Sequence, residues 1–132
     1  MYDETPNPSS LQRFATPVRR VEKPWGYELI FGHTDSYCGK VLFVKEGEIL
    51  SLQYHERKDE TIYVHEGRIA IEIGEQGEKR SVEVVGPGHA FHLTPGVVHR
   101  WRALEDSLVL EVSTPELDDV VRLEDRYGRA GT

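Results

Sequence analysis

Ser51-Leu52-Gln53-Tyr54-His55-Glu56-Arg57-Lys58-Asp59-Glu60, continued by Thr61-Ile62-Tyr63-Val64-His65-Glu66-Gly67, carries a strand pattern and a set of metal-type donors together. Residues two apart in a strand share a face, so Gln53 and His55 project together. The run Glu56-Arg57-Lys58-Asp59 reads as a solvated loop that turns the chain. Glu60 then opens the next strand, and neighbouring strands lie about 4.8 Å apart, which puts Glu60 beside His55. His99, opening a late strand after Thr94-Pro95-Gly96, is the candidate fourth ligand. Amide oxygen, imidazole nitrogen and carboxylate oxygen together suit zinc, manganese, iron, cobalt or nickel. The set contains no thiolate, which argues against a purely structural zinc. Spacing alone leaves a plainer alternative open, in which these are ordinary exposed strand residues.

On either side of this stretch the chain repeats one design. Nine short β-rich runs, each closed by turn residues, span 25–31, 40–45, 49–55, 60–65, 68–73, 80–85, 90–94, 97–102 and 108–113. Such spacing predicts an all-β sandwich or barrel. Ile69, Ile71 and Ile73 alternate with Arg68, Ala70 and Glu72, so one face is inward. The expected core comprises Leu42, Val44, Ile62, Val64, Ile71, Ile73, Phe91, Leu93, Leu108 and Leu110. Residues 1–17, with Pro6, Pro8 and Pro17, lack alternation and read as an arm ahead of a barrel domain over 18–129. The piece from Pro115 to Tyr127 is expected to hold a turn or two of helix, with Thr114 as its cap.

The chain has 132 residues, enough for one domain with one core. Its net charge of −7 argues against general nucleic-acid binding, which needs a basic face. A single cysteine, Cys38, allows no internal disulfide. No signal-peptide pattern and no membrane-length apolar run is visible, so a cytoplasmic protein is expected.

The donor pattern resembles the two signature stretches of the cupin superfamily. The first runs from Gly47-Glu48-Ile49-Leu50-Ser51-Leu52-Gln53-Tyr54-His55 through Glu60 to Gly67, and the second from Gly88 through Phe91-His92-Leu93-Thr94-Pro95-Gly96-Val97-Val98-His99. Gln53, where most cupins have His, resembles phosphomannose isomerases. Val21-Glu22-Lys23-Pro24-Trp25-Gly26-Tyr27-Glu28 and Val121-Arg122-Leu123-Glu124-Asp125-Arg126-Tyr127-Gly128-Arg129 extend the likeness to the type II mannose-6-phosphate isomerase domain. There are departures. His55-Glu56-Arg57 stands where that family often has three His, and Thr94-Pro95-Gly96 where it usually has Pro-x-Gly. Its bifunctional relatives also carry a nucleotidyltransferase domain, for which this length has no room.

The resemblance implies an antiparallel jelly roll holding one divalent metal ion on Gln53, His55, Glu60 and His99. It implies a metal-dependent aldose–ketose isomerase acting on a phosphosugar, in which a base moves a proton between neighbouring carbons. Lys40 and His92 are the candidate bases. Lys40 has the parity of Leu42 and Val44 and so faces inward, unless it is an edge lysine lying along apolar surface. Trp25 is a candidate sugar wall, and Arg122 and Arg126 are candidate phosphate ligands. An iron-dependent oxygenase and a sugar-binding module without turnover remain as other classes. His65 and His89 have no assigned role. A homodimer that closes an exposed sheet edge is the expected assembly.

Overall fold

The computed structural model of the chain describes residues 11–131. Of the expected arm, residues 1–10 lie outside the described residues; the rest contains a short 3-10 helix, Gln12–Phe14, that buries no residue. Eleven strands follow: β1 (Arg19–Lys23), β2 (Gly26–His33), β3 (Cys38–Val44), β4 (Leu52–Tyr54), β5 (Glu60–Glu66), β6 (Ile69–Gly74), β7 (Ser81–Val85), β8 (Ala90–Leu93), β9 (Val98–Ala103), β10 (Ser107–Ser113) and β11 (Val121–Glu124). They form two antiparallel sheets, ordered β1-β2-β3-β10-β5-β8 and β11-β4-β9-β6-β7. This is the expected all-β jelly roll. Among the described residues no helix is long and apolar enough to cross a membrane.

The core lies between the sheets, where alternation aims side chains inward. Val44, Val64, Ile69, Ala103 and Val109 are fully buried, joined by Leu42, Ile62, Ile71, Leu93 and both tryptophans. Gly67 sits in the β5–β6 turn at φ +90°, where a side chain would collide with the backbone of Asp106 and Ser107, so only glycine lets these loops meet.

Three expectations need correction. Leu108 and Leu110 are not core residues. In β10 the inward positions are Ser107, Val109 and Glu111, and the two leucines face outward. An apolar residue at every position from 108 to 110 hides which parity is buried. The helix expected after Pro115 is absent. Instead β11 pairs with β4, setting Arg122 opposite Gln53. The intended cap, Thr114, accepts the Asp59 amide through Oγ1 at 3.0 Å, so it anchors the loop before β5. The loop after His55 is not wholly solvated, because Lys58 is 4% exposed.

The inward parity of β6 makes a direct test. Ile71→Ala should cost roughly 2–5 kcal/mol in denaturant unfolding. Val82→Ala, on the exposed neighbouring strand β7, should stay within about 0.5 kcal/mol.

Candidate metal centre

Three strands place the four ligand candidates. Gln53 lies in β4 opposite His99 of β9, which brings two signature residues into one rung. His55 follows β4 directly, and its carbonyl accepts the Gly96 amide at 2.8 Å, tying the first motif to the turn of the second. Glu60 begins β5, flanked by Ser113 of β10 and Leu93 of β8.

His55, Glu60 and His99 converge in the interior, each 4% exposed. Their donor atoms lie within 4.8 Å of one another. The Nε2 atoms of His55 and His99 stand 3.1 and 3.2 Å from the same oxygen, Glu60 Oε1. The outer nitrogens explain why. His55 Nδ1 is 2.5 Å from the Asp119 carbonyl and His99 Nδ1 is 3.0 Å from the Val97 carbonyl. A carbonyl only accepts, so both Nδ1 atoms carry the proton. A neutral imidazole then turns an Nε2 lone pair toward Glu60. Two lone pairs and a carboxylate oxygen aimed at one point repel unless a cation or two extra protons lie among them. A divalent metal satisfies all three, and carbonyl-oriented imidazoles are the usual support of such a site. The residues therefore fit the metal.

Gln53 stands at the edge of this cluster. Its Oε1 accepts the Ser51 hydroxyl at 2.6 Å, which orients the amide beside the three ligands.

Two buried charges that the sequence reading missed complete the centre. Lys58 Nζ lies 3.3 Å from Glu60 Oε2 and 2.9 Å from Glu111 Oε2. Burial opposes the lysine's charge, but the two carboxylates outweigh it and hold its pKa above the usual lysine range. Burial also raises Glu60, yet the His55 and His99 imidazoles and the Lys58 charge bring it well below the usual carboxylate range. Glu111 goes the other way, pushed up by burial and then by Glu60, with Lys58 and Lys40 only partly offsetting. Parity with Glu60 was the available signal for Lys58. None existed for Glu111.

A cavity of about 90 Å³ opens from His55 and Gln53, and by volume it holds roughly six waters or part of a small ligand. A smaller lobe of about 20 Å³ reaches Glu60 and His99, and Gln53 and Glu111 line both. The larger lobe is lined by five cations, Lys23, Lys40, Lys58, Arg122 and Arg129, against two carboxylates, Glu28 and Glu111. Lys40 is buried in β3, a central strand rather than an edge, and pairs with Glu28 at 3.5 Å. Arg129 is held by Asp125 through two nitrogens, at 2.9 and 3.0 Å. Arg122 has a buried Nε with no hydrogen-bond partner among the described residues. Burial and then the Arg129 charge lower its pKa. Lys23 is lowered too, first by burial and then, against the pull of Glu28, by Lys40, Arg122 and Arg129. Mutually repelling cations with an unsatisfied donor make a place for an anion.

The other candidates divide. Trp25 lines the cavity but is 4% exposed and belongs to the core cluster. Arg126 is outside the cavity, exposed, and donates to the Gly47 carbonyl at 2.7 Å. His92 is outside as well, on the outer face of β8, 2.7 Å from Asp59. Inward positions on that strand go to Phe91 and Leu93. His65 is exposed beside Glu66, and His89 lies 3.0 Å from the Gly86 carbonyl, both away from the site.

A jelly roll with two buried imidazoles and a carboxylate at the inner end of a cavity is the architecture of a cupin. The chain belongs to that family: the family model described as "Cupin domain" matches residues 40–113. It is 35% identical over 116 residues to mannose-1-phosphate guanylyltransferase ManC of Salmonella typhimurium, a match covering 84% of this chain and 23% of ManC. It is 32% identical over 120 residues to the xanthan biosynthesis protein XanB of Xanthomonas campestris, covering 87% and 25%. The chain thus spans about a quarter of the length of these curated relatives. Among solved structures it resembles KdgF from Halomonas sp., with a TM-score of 0.65, 29% identity and coverage of 78% and 91%. CapF from Staphylococcus aureus shares the fold at a TM-score of 0.71, 19% identity and coverage of 85% and 36%.

Two predictions follow from this geometry. Glu60 is the negative donor among the four, so Glu60→Gln should weaken divalent-metal binding in titration more than Gln53→Ala, with circular dichroism showing a folded barrel in both. Asp119 Oδ1 and Oδ2 accept the amides of Glu56, Arg57 and Lys58 at 3.0, 2.6 and 2.8 Å, while its carbonyl fixes His55. Burial raises Asp119, but those amides outweigh it and lower its pKa. A depressed carboxyl adds stability above its ordinary value of about 3.9 and loses it as pH falls through the folded-state value. The stability gap between wild type and Asp119→Ala should therefore be constant above about pH 5 and shrink below about pH 4. Denaturant midpoints across this range measure it.

Proposed function

We propose that this chain is a metal-dependent isomerase that interconverts an aldose phosphate and its ketose. The observation that carries the reading is the pairing of two features in one interior. A three-donor cluster fit for a divalent metal sits at one end of a cavity, and an excess of cations lines the rest of it. The relatives' names concern mannose phosphate and polysaccharide synthesis, which agrees with a phosphosugar.

His55, Glu60 and His99 hold the metal, with Gln53 as the fourth donor. The ion supplies polarisation of the substrate's carbonyl and hydroxyl oxygens. Arg122, with its unpartnered Nε, and Lys23 bind the phosphate in place of the pair Arg122 and Arg126. Glu111 carries the proton between neighbouring carbons, because its carboxylate lines both lobes and burial raises its pKa above the usual carboxylate range. Lys40, fixed by Glu28, supplies positive charge beside the reacting oxygens. His92 has no access to this chamber.

Elemental analysis of the purified protein, then a sugar-phosphate panel read by NMR in deuterated water, tests the reading. One divalent metal per chain and deuterium incorporation at the carbon next to the carbonyl are expected. Glu111→Gln should lower kcat about 10²–10⁴-fold with metal retained. Arg122→Ala should raise KM for the phosphosugar roughly tenfold or more. The same donor set also suits ferrous iron. Oxygen consumption, or metal binding without any conversion across the panel, would overturn the isomerase in favour of an oxygenase or a binding module.

A further inference from the structure

One buried carboxylate of the cavity takes no part in holding the metal, the phosphate or the migrating proton. It is Glu28 of β2, and its partner is Lys40 of β3. Each is 7% exposed, and both line the cavity. Their strands are neighbours inside the six-stranded sheet. Glu28 is in register with Leu42, and Lys40, one inward position further along β3, is in register with Glu111. Lys40 Nζ lies 3.5 Å from Glu28 Oε1, and Lys23 Nζ lies 3.9 Å from the same oxygen. The hydrogen bond from Lys40 thus uses Oε1 and leaves Oε2 for a ligand in the cavity. Burying such a pair adds little to stability, since apolar side chains would fill the space at least as well. A paired acid and base kept against that tendency, in the wall of a cavity, point to chemistry.

We propose that Glu28 and Lys40 open the ring of a phosphorylated aldose, so that the chain interconverts sugar anomers as an activity separate from isomerisation. The proposal rests on the phosphosugar reading of the cavity. A sugar phosphate long enough to cyclise is a hemiacetal in water, and its carbonyl exists only after the ring opens. Opening moves protons at one carbon. The anomeric hydroxyl gives its proton to the Glu28 carboxylate, and the electron pair left on that oxygen forms the carbonyl. The bond from the anomeric carbon to the ring oxygen breaks, and the ring oxygen takes a proton from Lys40 Nζ. The proton on Glu28 then returns to Lys40 across their 3.5 Å contact, so the pair is restored with no net gain or loss. Closure on the opposite face of the carbonyl yields the other anomer. Three observations favour this pair. First, the two oxygens belong to one carbon, so a donor and an acceptor this close together reach both. Second, Lys40 shares a rung with Glu111 while Glu28 meets Lys23, which places the pair between the proton carrier and the phosphate end. That is where the ring oxygen of a sugar held at both ends falls. Third, Glu111 is tied at 2.9 Å to Lys58 on the metal side, so the ring oxygen needs a proton donor of its own.

NMR exchange spectroscopy between the two anomers of a 2-deoxyhexose 6-phosphate, with the metal-loaded full chain, tests the proposal. This probe opens and closes its ring but lacks the hydroxyl that an enediolate requires, so it cannot become a ketose. The wild type should raise the anomer exchange rate at least about tenfold over buffer at the same pH. Glu28→Gln should bring it back to near the buffer rate, with metal content and the circular dichroism spectrum kept. Lys40→Gln should do the same and serves if the first variant fails to fold. His92→Ala, outside the cavity, should exchange anomers as fast as wild type. Exchange at the buffer rate with the wild type overturns the proposal, and does so without touching the isomerase if a hexose phosphate is still converted. Acceleration that survives in folded Glu28→Gln and Lys40→Gln variants overturns it as well. Acceleration by the wild type that both variants lose supports ring opening even where no sugar phosphate is isomerised, so the two readings fail separately.

Discussion

Everything in the interior is arranged around one carboxylate. Glu60 turns one oxygen to two imidazoles and the other to the Lys58 ammonium. A carboxylate this deep is costly unless each oxygen is satisfied. The barrel meets that demand with residues from four places: β4 and its following loop, β5, β9 and, through Lys58, Glu111 of β10. The two imidazoles are fixed from behind by backbone carbonyls, so the fold dictates their tautomer as well as their position. The loop carrying Lys58 is in turn held by the three amides on Asp119. The C-terminal segment beyond β10 is therefore a structural part of the site.

From that carboxylate outward the charges alternate. Lys58 joins Glu60 to Glu111, and Lys40 faces Glu111 on one side and Glu28 on the other. Lys23 also reaches Glu28, at 3.9 Å. The order ends in Arg122, whose buried Nε has no hydrogen-bond partner among the described residues, and in Arg129, which Asp125 holds. Such an ordering makes the inner end ready for a cation and the outer end ready for an anion, two sites about one small molecule apart. Area burial alone would favour filling this space with apolar side chains. Retaining so many paired charges in a small core is the mark of a chamber kept for polar chemistry.

The sequence made part of this legible, for physical reasons that differ by residue. The convergence of His55, Glu60 and His99, with Gln53 beside them, was readable because strand parity is strict. Lys40 shares its parity with Leu42 and Val44, so its inward aim was readable. Lys58 shares its parity with Glu60, but the loop composition of Glu56, Arg57 and Asp59 masks that signal, and Glu60 and Glu111 draw the side chain inside. His92 was misleading because it adjoins the second motif, yet one residue's shift in a strand changes the face entirely. The C-terminal β11 was invisible because Thr114, which looks like a helix cap, spends its hydroxyl on an amide of the loop after His55, as Asp119 spends its carboxylate.

The failure at β10 is the most instructive. Alternation reveals a strand's buried face only when the other face is polar. Ser107-Leu108-Val109-Leu110-Glu111 offers no such contrast, and its one charge points inward. The larger side chains sit on the side that a single chain leaves open. That inversion gives up apolar burial to keep Ser107 and Glu111 on the inward face beside Val109. Glu111 and Leu110 are successive residues of one strand, one aimed at the cavity and the other at the open face. Inside, Lys58 holds the Glu111 carboxylate at 2.9 Å, and a charge fixed in place by an opposite charge is what a chamber kept for polar chemistry requires.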